Sequence, residues 1–126
     1  MAARNYHLRA SATATGSAAA SVPILRAGTL KCFAFRLYNS TTAAACISLW
    51  ELSLVPQFQS NTNDAPGIIG NAMVSSETGT LRTIHTADIC NIRVNVGDRL
   101  YLHVVFVTGN ETTIGIVNAN VEEAGG

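Results

Sequence analysis

Residues 92–117 read IRVNVGDRLYLHVVFVTGNETTIGIV and carry the clearest strand pattern in the chain. The first five of these residues alternate between apolar and polar side chains, which is the period-two pattern of a strand with one buried and one wet face. A Gly97-Asp98 turn leads into a strongly apolar segment, residues 99–108, and a second turn precedes residues 112–117. The stretch therefore predicts consecutive strands joined by tight turns, with the first two forming a hairpin.

The segment over residues 99–108 is apolar on both of its faces. One face, which we assign to the core, carries Leu100, Leu102, Val104 and Phe106. A strand that is apolar on both sides must be covered twice, either by its own domain or by another chain. We therefore predict that the second face is a subunit interface, formed by Tyr101, His103, Val105 and Val107.

The composition limits the classes of protein that fit this chain. At 126 residues it is long enough for one domain. Only 13% of its residues are charged, and the eight basic and eight acidic side chains cancel, so we expect no direct nucleic-acid binding. The absence of a long apolar run argues against a membrane span. Three cysteines and no signal peptide predict reduced thiols in a protein made in a cytoplasm.

The N-terminal part of the chain is basic and rich in small residues. Residues 1–50 carry arginine and lysine but no acid, and residues 10–21 contain only small side chains. Such a segment cannot build a core of its own. We predict an extended N-terminal arm over residues 1–21, a sandwich domain over residues 22–121 and a tail over residues 122–126. The arm would bind a partner through Arg4, Tyr6 and Arg9.

Residues 68–75 and 80–87 have strand patterns and are separated by Glu77-Thr78-Gly79, which predicts a second hairpin. In all, the chain contains seven or eight short strand patterns and no convincing long helix. This predicts an all-β protein with a single β-sandwich. An immunoglobulin-like sandwich is the alternative to a jelly roll, because Trp50 stands between Cys32 and Cys90. The tyrosine expected two residues before the second cysteine is replaced by Asp88. We therefore favour the jelly-roll arrangement.

No motif for catalysis or metal binding stands out. There is no Gly-x-Ser-x-Gly elbow and no glycine-rich phosphate loop. His7, His85 and His103 have no companions at the spacing of a zinc site. We predict that the chain is not an enzyme, has no catalytic or metal-binding residues and needs no cofactor.

A carbohydrate-binding or receptor-binding module is the alternative function. Its site would combine the polar loop over residues 57–67, where recognition is often located, with an exposed aromatic side chain. The candidates for that side chain are Trp50, Tyr6, Tyr38 and Tyr101. Trp50, however, lies in an apolar strand, which is more typical of a core residue.

The charge-poor body, the basic N-terminal segment and VGDRLYL at residues 96–102 together resemble a known class of protein. The chain resembles the small jelly-roll proteins that decorate or cement the capsids of tailed bacteriophages. The VGDRLYL segment is also similar to a late strand in the trimeric C1q and tumour-necrosis-factor families. The resemblance implies a homotrimer in a virion that binds and stabilises a capsid or other protein shell, with its arm reaching across neighbouring shell subunits.

Overall fold

Antiparallel strands dominate the chain in the computed structural model, which describes residues 2–13, 16–17, 19–39, 46–55, 67–76, 83–108 and 112–124. The bounds of the strands in these segments are β1 Ala2–Thr13, β2 Gly16–Ser17, β3 Ala20–Pro23, β4 Gly28–Asn39, β5 Cys46–Val55, β6 Gly67–Ser76, β7 Thr83–Val94, β8 Arg99–Thr108 and β9 Thr113–Glu123. None of these segments contains a helix long and apolar enough to cross a membrane.

The strands form two antiparallel sheets that pack face to face. The five-stranded sheet has the order β2-β1-β9-β4-β7, and the four-stranded sheet has the order β3-β8-β5-β6. From β6 to β9 the chain alternates between the sheets, so β6 and β8 lie in the four-stranded sheet and β7 and β9 lie in the five-stranded sheet. This confirms the predicted all-β sandwich of the jelly-roll type.

The Gly97-Asp98 turn joins the two sheets and does not close a hairpin. Gly97 has a φ of 90°, a conformation that glycine adopts without steric cost. The Asp98 carboxylate accepts a hydrogen bond from the Asn95 amide at 2.9 Å, and the Asp98 carbonyl accepts one from the Ile24 amide at 2.7 Å. The hairpin prediction was wrong because β7 and β8 pair with strands of different sheets.

A second predicted hairpin, between the strands now seen as β6 and β7, is also wrong. These strands belong to the four-stranded and the five-stranded sheet respectively. The predicted turn itself, residues 77–79, lies outside the described residues. A short polar turn between two apolar strands therefore did not distinguish a hairpin from a connection between layers.

The N-terminal segment is extended, as predicted, but it is a strand of the sandwich and not an arm outside it. Strand β1 pairs with β9 along nearly its whole length. Its alternate side chains enter the core, namely Tyr6, Leu8, Ala10 and Ala12. The predicted tail starts inside the same strand pair, because Glu123 ends β9 and is buried.

The core between the sheets is centred on Trp50 and contains a small polar network. The indole nitrogen of Trp50 donates a hydrogen bond to Ser48 Oγ at 3.2 Å, and that oxygen lies 2.9 Å from Thr113 Oγ1. Gly115 packs so closely on Trp50 that an added Cβ would lie 2.7 Å from the indole ring. The two sheets therefore fix each other's position through contacts between β5 and β9.

Candidate subunit interface

Strand β8 carries the predicted interface, and its first half has the predicted alternation. Leu100 and Leu102 are fully buried in the core, while Tyr101 and His103 are partly exposed on the opposite side. This follows from the two-residue period of a strand, which sends neighbouring side chains to opposite faces. The outer face of the four-stranded sheet is therefore accessible at these positions.

The second half of β8 contains a β-bulge. Val104 and Phe106 take consecutive partners on β5, Trp50 and Leu49, so Val105 between them has no residue opposite it. An extra residue in one strand of an antiparallel pair interrupts the alternation of the side chains beyond it. The sequence pattern over residues 99–108 shows no sign of this interruption.

The bulge exchanges the faces of two residues. Phe106, predicted for the core, is 42% exposed, whereas Val107, predicted for the interface, packs against the core. The interface prediction was therefore wrong at Val107. Apart from Arg99 and Thr108 at the ends of β8, its accessible side chains on the outer face are Tyr101, His103, Val105 and Phe106.

Neighbouring strands extend this surface into an exposed apolar patch. Leu49 of β5 lies between Phe106 of β8 and Met73 of β6 in the register of the sheet. Ile47 lies two residues before Leu49 on the same face. We call the group the outer patch, and it consists of Ile47, Leu49, Met73, Val105 and Phe106. Leu49 is half-buried, and the other four are between 37% and 53% exposed.

Polar side chains border the outer patch on β5 and β8. His103 Nε2 lies 3.5 Å from Glu51 Oε1, and the centre of the Tyr101 ring lies 5.2 Å from that of the imidazole. Two buried polar atoms, His103 Nδ1 and Ser53 Oγ, have no hydrogen-bond partner among the described residues. An apolar centre with a polar border is the usual composition of a protein interface.

The three residues of the N-terminal segment that were predicted to bind a partner lie in different environments. Tyr6 is 4% exposed, and its hydroxyl accepts a hydrogen bond from the Leu25 amide at 3.0 Å, so it is a core residue and its assignment was wrong. Arg4 Nε donates to Glu123 Oε2 at 2.9 Å, and this carboxylate raises the pKa of Arg4. Arg9 is exposed and remains accessible to a partner.

Two of the four aromatic side chains considered for a carbohydrate-binding or receptor-binding site are buried. Trp50 has no exposed surface, and Tyr6 is buried. Tyr38 and Tyr101 are partly exposed. Residues 57–66 of the predicted recognition loop lie outside the described residues, and Gly67 begins β6.

Cys32 and Cys90 are free and differ in exposure. Cys32 is exposed, and Cys90 is partly buried with its thiol donating to the Leu30 carbonyl at 3.4 Å. Burial raises the pKa of Cys90, with smaller contributions from Cys32 and Asp88. No three His, Cys, Asp or Glu side chains converge into a metal site within the described ranges.

Solved structures with the same fold include two proteins of the tumour-necrosis-factor type. Eiger TNF from S. frugiperda superposes with a TM-score of 0.54 at 12% identity, covering 97% of this chain and 94% of that one. Murine APRIL superposes with a TM-score of 0.51 at 10% identity, covering 89% of this chain and 98% of that one. At such identities the likeness concerns the fold, and it supports the jelly roll.

A weaker likeness is found to the structure of the Gx strain of infectious bursal disease virus. It has a TM-score of 0.45 at 10% identity, and covers 98% of this chain and 37% of that one. A score this low carries no argument about function. Neither a protein-family model nor a curated protein matches the sequence.

Proposed function

We propose that this chain is a structural, self-associating protein of a virion, which forms trimers and binds a larger protein shell as a decoration or cement protein. The observation that supports the self-association is the outer patch on the four-stranded sheet. The partner of each patch is another copy of the same chain.

The outer patch favours a protein partner because its apolar side chains are contiguous. Single exposed apolar residues are common on soluble proteins, but a group that spans three neighbouring strands marks an interaction surface. The patch has Phe106 and Met73 beside Leu49, and aromatic residues and methionine are enriched at interfaces. The Glu51–His103 pair at its border would be the polar rim of that contact.

A trimer is the proposed assembly because of the sequence resemblance over residues 96–102. That segment, which spans the turn between the sheets and the start of β8, is similar to a strand in families of trimeric jelly rolls. A threefold arrangement would place one outer patch per copy around a common axis. The low content of charged residues, 13%, also suits a protein whose surface is partly covered by a shell.

The proposal is tested by the mass of the protein in solution. Sedimentation equilibrium over a concentration series should give a species with three times the mass of one chain. A monomer at every concentration would contradict the proposal. Because the association would rest on apolar contacts, raising the salt concentration should leave it intact, as screening weakens only the charged contributions.

A further inference from the structure

The outer face of the five-stranded sheet, opposite to the outer patch, contains a depression of about 440 Å³. Strand register explains its shape. One row of neighbouring side chains consists of His7, Asn118, Ala34 and Ala87, and the next row consists of Arg9, Ile116, Arg36 and His85. The two alanines are adjacent on β4 and β7, so their short side chains leave a dip beside longer ones. Its volume lies within the range of small-molecule sites.

The side chains around the dip favour a negatively charged ligand. Arg36, His7 and His85 line it. Among the described acids, Glu122 lies on the same face but four residues beyond Asn118, which is about 13 Å along a strand. Asp88 follows Ala87 but pairs with the buried Phe33, so it belongs to the opposite face.

Two contacts hold the polar groups of the dip in place. Asn118 Oδ1 lies 3.0 Å from His7 Nδ1 and accepts a hydrogen bond from Asn5 Nδ2 at 3.4 Å. The remaining hydrogen-bond donor of the Asn118 side chain is its Nδ2 group. The guanidinium of Arg36 lies 5.4 Å from the centre of the Tyr38 ring, and this cation–π contact restricts its position. A ligand would therefore meet donors that are already oriented.

We propose that this dip binds a small organic carboxylate with a short apolar body. The planar guanidinium of Arg36 matches the two oxygens of a carboxylate, which it can bind through two parallel hydrogen bonds. The apolar body would rest on the methyl groups of Ala34 and Ala87, beside Ile116. This site is separate from the outer patch, since the two lie on opposite sheets of the sandwich.

The test is a titration of the full chain, at a fixed pH and ionic strength, with benzoate and with benzamidine, which has a similar shape but the opposite charge. Amide chemical shifts report where each compound binds. Benzoate should produce saturable shifts at Ala34, Ala87 and Asn118 below about 20 mM, the range of a weak, millimolar site. Benzamidine should produce none at these positions.

Two substitutions and one matched control locate the site. Arg36→Gln should weaken benzoate binding at least about tenfold, because it removes a charged hydrogen-bond donor. Ala87→Leu should abolish binding by filling the dip. Arg93→Gln removes the same charge from an exposed position at the far end of β7 and should change the affinity less than twofold. Amide spectra of the unliganded variants show whether each is folded.

The proposal is overturned by any of three results. The first is the lack of saturable shifts with benzoate over the same range. The second is equal binding of benzamidine, which would show that charge does not select the ligand. The third is an equal loss of affinity in Arg36→Gln and Arg93→Gln, which would show that only the net charge of the protein matters.

Discussion

Replacing Leu8 by alanine should strongly destabilise the protein if β1 is an integral strand of the sandwich. Leu8 is 3% exposed and belongs to the main core cluster. Truncating a buried leucine to alanine typically costs about 2–5 kcal/mol, since apolar contacts are lost and a cavity remains. That is a large part of the stability of a single domain, which is about 5–15 kcal/mol.

The assay for this substitution is urea unfolding at one fixed protein concentration, because association would add to the stability measured. With a typical slope of about 1–3 kcal/mol per molar urea, the midpoint for Leu8→Ala should fall by at least about 0.7 M. Arg9→Ala is the matched control, since Arg9 is the next residue of β1 and is exposed. It should change stability by less than about 0.5 kcal/mol.

The refuting result is a Leu8→Ala variant that unfolds at the same urea concentration as Arg9→Ala. The N-terminal segment would then be a dispensable arm, and the pairing of β1 with β9 would not contribute to the stability of the domain. A deletion of the whole segment would be less informative, because it removes buried side chains and backbone hydrogen bonds together.

Two further predictions concern the core and the thiols. Gly115→Ala should destabilise the protein by about 1–3 kcal/mol in the same urea assay, because its Cβ would lie 2.7 Å from the Trp50 ring; unchanged stability would contradict the close packing of β9 on β5. Iodoacetamide should modify Cys32 faster than Cys90, since only the thiolate reacts and burial raises the pKa of Cys90. Peptide mapping by mass spectrometry distinguishes the two sites. Modification of Cys90 should accelerate as the pH rises beyond the usual thiol range, and equal rates at neutral pH would contradict its partial burial.

The sequence predicts the sandwich because strand alternation is a local property. In the first half of β8 the predicted faces of Leu100 and Tyr101 are correct, since no irregularity intervenes. The bulge at Val105 depends on pairing with β5, which the sequence of β8 alone does not reveal. For this reason the faces of Phe106 and Val107 could not be assigned without the structure.

The missed strand β1 did leave a signal in the sequence. Tyr6 and Leu8 alternate with His7 and Arg9, which is the same period-two pattern that identified the strand beginning at Ile92. The prediction of an arm was based on the composition of the small residues that follow, and not on this alternation. Small side chains are compatible with a core strand when neighbouring elements supply the bulk. Here Ala10 pairs with Gly115, and Gly115 packs on Trp50.

Which strands share a sheet was the part of the fold least accessible from sequence. A turn such as Gly97-Asp98 suits either a hairpin or a corner between layers, and the choice depends on long-range partners such as Ile24. Likewise, the outer patch combines residues of three strands, and of these residues the sequence identified only Val105. The side chains of Leu49 and Met73 join it through the register of β5 and β6.

The most direct test of self-association through the outer patch compares two aspartate variants with the unmodified chain by sedimentation equilibrium. Val105→Asp places a charge on the outer patch, where Val105 is 47% exposed, and Ile89→Asp makes the same change on the other sheet, where Ile89 is 93% exposed. The half-burial of a valine is worth about 1 kcal/mol, and burying an unpaired carboxylate costs about 3–5 kcal/mol more. Association should therefore weaken at least about 100-fold per contact.

We expect a folded monomer for Val105→Asp and an unchanged trimer for Ile89→Asp. Circular dichroism on the same samples checks that both variants remain folded, as expected for substitutions at exposed positions. A trimer that persists in Val105→Asp, or that dissociates only in Ile89→Asp, would contradict the claim that the outer patch is the subunit interface.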